Sequence, residues 1–130
     1  MALPIPHIDD ENHAFWTGGA DGELRIERCQ ACGYYLHPPS QRCPKCWSDA
    51  VAPEAVSGRG TVYTYTINRQ RWMPDLEVPF VLAVVDLDEQ PGLRLIARVV
   101  DCDAPMIGMS VEVDFEPRGE AFIPFFRPAS

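Results

Sequence analysis

Cys29-Gln-Ala-Cys32-Gly33 and Cys43-Pro-Lys-Cys46, with ten residues between Cys32 and Cys43, form the stretch on which the reading of this chain turns. Two Cys-x-x-Cys pairs at this separation can bring four thiolates to one point, the arrangement a tetrahedral Zn²⁺ ion requires. Each pair folds as a tight turn whose amides point at the sulfurs and offset their charge; Gly33 supplies the positive φ such turns favour. The second pair is followed by Trp47 instead of glycine. That puts a large aromatic beside the metal and makes the second turn less ideal. Four sulfurs leave no open coordination position for catalysis, so the metal expected at Cys29, Cys32, Cys43 and Cys46 is structural zinc. Rubredoxin-like iron and an empty site are the competing assignments, and the ten-residue gap is short for the former.

Between the pairs, Tyr34-Tyr35-Leu36 reads as one short strand, and Pro38-Pro39 reverses the chain. Upstream, Leu24 to Arg28 alternates apolar and charged residues, as a half-exposed strand does. Further back, Asp9 or Asp10 can cap a short helix carrying Ala14, Phe15 and Trp16, weakened by Gly18 and Gly19 and stopped at Gly22. Downstream, Val51 to Val56 is a strand interrupted by Pro53. From Gly58 the pattern is all β. Strands are expected over 61–67, 80–87, 93–100, 111–115 and 121–126, separated by turn residues. The chain is thus read as mainly β. A leader with a short helix (1–23) precedes a zinc ribbon (24–57), and a five-stranded barrel of the OB-fold type (58–130) follows.

Composition narrows the function. Hydrophobic residues make up 46% of the 130, enough for a core. The formal net charge is −8 and Lys45 is the single lysine, which counts against a nucleic-acid partner, since phosphate backbones need lysine and arginine on one face. No apolar run approaches the ~18 residues of a membrane span. His7, Asp9, Asp10 and Glu11 stand where a signal peptide would be apolar, so a cytoplasmic protein is expected, where paired cysteines are metal ligands before they are disulfides. The fifth cysteine, Cys102, reads as a small apolar residue.

Catalytic constellations are missing. His7 and His13 lie in the leader, and His37 could replace a ligand only if a cysteine failed. There is no Gly-x-Ser-x-Gly elbow, Walker loop, Rossmann fingerprint or His-Glu-x-x-His. Arg69, Arg71 and Trp72 stand apart: two guanidiniums and an indole at a barrel mouth could meet the phosphates or base of a nucleotide such as CoA, or Trp72 could fold back on the barrel. Phe15 and Trp16 read as core anchors or as part of a partner surface. Phe122 and Phe126 fall on one face by alternation, with part of that apolar tail exposed for docking. A different class of function remains open: a single-stranded nucleic-acid module with Tyr63, Tyr65 and Trp72 as stacking platforms.

Phe15-Trp16, Gly22-Glu-Leu-Arg-Ile-Glu-Arg-Cys-Gln-Ala-Cys-Gly33, Pro38-Pro39, Cys43-Pro-Lys-Cys46, Ser57-Gly-Arg-Gly-Thr-Val-Tyr-Thr-Tyr-Thr66, Pro79-Phe-Val-Leu-Ala83, Gly108-Met-Ser-Val111 and Phe126-Arg-Pro128 together resemble the DUF35 family over about residues 10–128. Trp47, where many members have glycine, and the scarcity of lysine are departures. The resemblance implies a rubredoxin-like zinc ribbon joined to an OB-fold and, for function, partnership with thiolase-fold enzymes. Such partners include acyl-CoA thiolases, lipid-transfer-protein-like aldolases of steroid side-chain degradation, ketide acyltransferases and archaeal acetoacetyl-CoA and hydroxymethylglutaryl-CoA synthesis complexes. Some relatives are fused or bound to MaoC-like hydratases. What is implied is a non-catalytic accessory subunit of a hetero-oligomer that stabilises its partner and lines an acyl-CoA tunnel, with CoA near Arg69, Arg71 and Trp72.

Overall fold

The computed structural model describes residues 4–129. It begins with a turn in which Asp9 Oδ1 accepts the amides of Glu11 and Asn12, both at 2.9 Å; helix α1 (His13–Thr17) follows, and its N-cap is Asn12, whose side chain caps nothing, not Asp9 or Asp10. The helix tightens into a 3-10 turn, Gly18–Asp21, and ends at Gly22 with φ 71°. Gly18 and Gly19 weaken the helix for a reason in the packing. A Cβ on Gly19 would sit 2.5 Å from Phe122 Cβ, so only glycine lets this turn press against the barrel.

Eight strands follow: β1 (Leu24–Cys29), β2 (Tyr35–Leu36), β3 (Val51–Val56), β4 (Arg59–Asn68), β5 (Phe80–Leu87), β6 (Arg94–Val99), β7 (Ser110–Arg118) and β8 (Ala121–Pro128). The first three form an antiparallel sheet in the order β2-β1-β3. Pro53 does not interrupt β3. It pairs with Glu27 on an outer strand, and the register set by Gln30 N–H to Ala50 C=O points its nitrogen away from β1, where no donor is needed.

The other five strands close a barrel in the order β4-β5-β6-β8-β7, the OB-fold arrangement. In β5 the alternation is clean: Val81, Ala83, Val85 and Leu87 are buried and their neighbours half-buried. In β8 the register with β7 is unbroken, so Phe122, Pro124 and Phe126 share a face, with Pro124 and Phe126 buried and Phe122 half-buried; Ala121, on the other face, is buried as well. Phe126 has no exposed surface and is the largest fully buried side chain, while Phe122 lies under Gly19. The expected docking face of phenylalanines is therefore spent on the core and on seating the leader. Phe15 is buried too, and Trp16 packs beside it at a ring separation of 4.8 Å.

The ribbon is fastened to the barrel by a side chain that imitates a strand. Gln90, in the β5–β6 turn, accepts the amide of Tyr35 (2.9 Å) and donates to its carbonyl (3.0 Å), completing the open edge of β2. Next to it, Glu89 accepts the Ser57 amide at 2.7 Å. Leaving the half-buried Tyr35 groups without partners should cost about 1–3 kcal/mol. Gln90→Ala is expected to lower the denaturant midpoint accordingly, with Gln90→Glu, which keeps the acceptor and loses the donor, also destabilised. An unchanged midpoint in both variants would show that the clip contributes nothing.

Candidate metal centre and neighbouring surfaces

The two cysteine pairs are built on the same hydrogen-bond plan. Cys29 N–H donates to Tyr34 C=O and Gly33 N–H to Cys29 C=O; at the same offsets, Cys43 N–H donates to Ser48 C=O and Trp47 N–H to Cys43 C=O, all between 2.8 and 2.9 Å. Trp47 thus occupies the place of Gly33, and it takes the same kind of backbone, φ 66° against 83°. For a residue with a Cβ this region costs about 1–2 kcal/mol.

These turns bring four sulfurs together. Cys29 Sγ lies 3.5 Å from Cys46 Sγ and Cys32 Sγ 3.6 Å from Cys43 Sγ, with all four within 4.8 Å of one another. A tetrahedral ion with bonds of about 2.3 Å needs sulfur–sulfur edges of about 3.8 Å, so the donor set fits. Cys29 and Cys43 are buried and Cys32 and Cys46 exposed. The Cys32 amide reaches Cys29 Sγ and the Lys45 amide reaches Cys43 Sγ. The Cys32 amide, with that of Ala31, pulls the Cys29 thiol down to about 6 against the opposing effect of burial. Burial works against the Cys43 thiolate, but the amides of Cys46 and Lys45 outweigh it and lower its pKa. Cys46 moves the other way. The Ser48 amide favours its thiolate, yet the neighbouring sulfurs and burial push it up. Four thiolates this close repel, and a cation between them removes the conflict.

His37 is not near this cluster in role. It stacks on Phe15 with ring centroids 4.8 Å apart, and burial lowers its pKa, so it is a neutral packing residue. Cys102 is half-buried against the core. Arg69, Arg71 and Trp72 form the exposed start of the β4–β5 connection. Trp72 does not fold back: its side chain is 72% exposed, with the indole N–H on Asn68 Oδ1 at 3.2 Å. Arg71 donates to Pro74 C=O at 3.3 Å. Of the two tyrosines considered as stacking platforms, Tyr63 already carries the Arg94 guanidinium over its ring at 3.8 Å.

Sequence reasoning missed a half-open cavity of about 1220 Å³. Its walls come from Phe15 and Trp16, from the His37-Pro38-Pro39 turn, and from β6 and β8. No local motif announces it, because the walls lie far apart along the chain. Among the described residues no helix is long and apolar enough to cross a membrane.

A four-cysteine ribbon fastened to an OB-fold barrel defines the class of protein. Two family profiles then match the chain: "ChsH2, rubredoxin-like zinc ribbon domain" over residues 16–52 and "ChsH2, C-terminal OB-fold domain" over residues 53–116. The chain belongs to this ChsH2 family of DUF35 proteins. A solved structure titled "Ltp2-ChsH2(DUF35) aldolase" superposes with a TM-score of 0.86 at 36% identity, covering 97% of this chain and 100% of that one. A probable enoyl-CoA hydratase alpha subunit of Thermomonospora curvata is 39% identical over 97% of this chain, which spans 40% of that protein. The benzoylsuccinyl-CoA thiolase subunit BbsA of Thauera aromatica is 30% identical over 62% of this chain and 56% of its own length. The chain thus spans well under half the length of the hydratase subunits that it matches.

The strain at Trp47 has a measurable consequence. Trp47→Gly should raise the stability of the free protein by about 0.5–1 kcal/mol, the relief of the left-handed backbone less the entropy of an added glycine. Denaturation of the metal-loaded chain reads it, and a destabilised variant would mean that the indole contributes packing that its exposure conceals.

Proposed function

We propose that this chain is a non-catalytic accessory subunit of a thiolase-like, acyl-CoA-processing complex, and that Cys29, Cys32, Cys43 and Cys46 hold a structural zinc ion. The observation that carries the first part is the superposition on the DUF35 chain of an aldolase over that chain's whole length. Relatives named as thiolase and hydratase subunits support it. The partner is a thiolase-fold or lipid-transfer-protein-like aldolase subunit, with a MaoC-like hydratase as the other partner class, in a hetero-oligomer. Zinc suits a donor set of four thiolates without redox chemistry, and a closed tetrahedron leaves no site for substrate. The ion's work is to fix the ribbon. The half-buried His37 is packed against Phe15 and its pKa is lowered by burial, so it is not poised as an acid or base.

Purification of the native protein should bring down an acyl-CoA-processing enzyme and one zinc per chain. Removing the metal with a chelator should unfold the ribbon, seen as loss of near-ultraviolet ellipticity from Tyr34, Tyr35 and Trp47, and should release the partner. A lone protein that keeps its fold without metal would overturn both parts.

The exposed Arg69-Arg71-Trp72 segment is, in this reading, where the subunit approaches the acyl-CoA, with guanidiniums for phosphate and the indole for stacking. Arg69→Ala combined with Arg71→Ala should raise the KM of the complex for its CoA ester about tenfold while leaving assembly intact. An unchanged KM would assign both arginines to the surface.

A further inference from the structure

The barrel closes at its weakest seam through a single register position. Val99 of β6 faces Phe126 of β8, and Val100 N–H donates to Phe126 C=O at 2.8 Å. Along the rest of β6 the hydrogen-bonding pattern can be followed residue by residue. Leu87 N–H donates to Leu93 C=O, so in the antiparallel pairing with β5 the backbone groups of Leu95, Ala97 and Val99 point at β5. Those of Arg94, Ile96 and Arg98 then point toward β8. The Val99–Phe126 bridge pairs the Arg98 carbonyl with the Phe126 amide; no strand pairing among the described residues takes up the groups of Arg94 and Ile96 or the Arg98 amide. Across the gap, Val113 N–H is turned to Gly58 and Ala129 N–H to Ser110, which fixes the β7–β8 pattern and leaves the carbonyls of Phe122 and Pro124 facing β6. Two strand edges therefore look at each other across the cavity of about 1220 Å³ that both of them line.

The side chains around this gap suit an extended chain. Ile96, in the middle of the free edge, is 67% exposed, and Trp16, Ile123 and Phe125 continue the apolar wall. Four arginines also line the cavity. Three are committed: Arg94 to Asp86, Arg118 to Glu116, and Arg127 to Asp101 and Asp114. Arg98 has no carboxylate partner among the described residues; its guanidinium lies 5.5 Å from the centre of the Phe80 ring, and its buried Nε has no hydrogen-bond acceptor. Unpaired edges are templates for another strand. The cavity is also larger than the ~300–1000 Å³ of ordinary small-molecule pockets.

We infer that the free edge of β6 receives an extended segment of the catalytic partner subunit, added as a strand beside Arg94–Arg98 and carrying a carboxylate to Arg98. The inference rests on the accessory-subunit reading and deepens it. Backbone groups of Arg94 and Ile96 and the Arg98 amide supply the ladder, alternate side chains of the incoming strand meet the Trp16–Phe125 wall, and the carboxylate neutralises the one uncommitted guanidinium.

Residue-resolved hydrogen exchange on the free chain and on the complex with its co-purifying enzyme tests it. In the free chain the amides of Arg94, Ile96 and Arg98 should exchange much faster than those of Leu95, Ala97 and Val99; in the complex the first three should slow at least about tenfold. A complex that forms without slowing them overturns the strand addition and leaves the accessory role standing. A chain that binds no acyl-CoA enzyme overturns both. Two variants add a separate readout. Arg98→Ala should weaken assembly about tenfold, the worth of a charged hydrogen bond. Ile96→Pro removes one donor facing the gap and none used by β5, so it should abolish assembly while the Leu95 and Ala97 amides stay protected. Wild-type affinity in both variants would sink the proposal.

Discussion

Four sulfur atoms within 4.8 Å of one another cannot all be ionised unless a cation lies among them, and the ribbon depends on that constraint. Apart from the ligand Cys29, its three strands contribute few buried side chains of their own: Leu24, Ile26, Tyr35 and Leu36. A sheet this small does not bury enough apolar surface to stand alone, and metal binding is then folding energy. The ribbon is also not left to its metal. Leu24, Ile26 and Tyr35 belong to the same continuous core as the barrel's Val85 and Phe126, and Gln90 completes the edge of β2. Metal and core hold opposite ends of one short sheet.

That arrangement explains the leader. A barrel whose seam between β6 and β8 is joined at one position needs a plug, and α1 with its glycine turn packs on β8 and β1. Phe15 enters the shared core while Trp16 stays at its margin beside the cavity. The leader therefore joins ribbon to barrel as much as it fills the barrel end. His37 enters this joint as a neutral ring on Phe15, so acidification below its ordinary range works against the packing: a pKa lowered by folding means that the unfolded chain binds the proton more tightly.

Much of this was legible because it is local. Cysteine spacing announced the tetrad, β-branched alternation announced β4 and β5, and Gly22 marked the end of the helical turn. What escaped depends on distant partners. Pro53 reads as a break until it is known to lie on an outer strand with its nitrogen turned away from β1. Phe122 and Phe126 do share a face, but nothing local says that it is spent on the core and on the leader, and Gly19 reads as a weakness until Phe122 is seen beneath it. Gln90 carries no signal at all: a glutamine in a turn has no special meaning until Tyr35 arrives fifty-five residues away in sequence to be clipped.

Trp47 and Ile96 share a logic that bears on what the protein is for. Each sits where the free chain would be better served by another residue. At Trp47 a glycine would suit the backbone, and at the open edge of β6 a charged or bulged residue would protect against stray pairing. An apolar side chain at a left-handed turn, 74% exposed, gains nothing from the isolated fold, and neither does an unpaired edge with an isoleucine at its centre. Backbone strain and unpaired edges persist where a contact outside the chain gives them a use. One feature lies at the tip of the metal ribbon and the other on the barrel, so in the proposed assembly a partner that used both would reach across the joint between them. A rigid joint would then serve that assembly: metal, core and the Gln90 clip fix the relative placement of two surfaces that neither half could set alone.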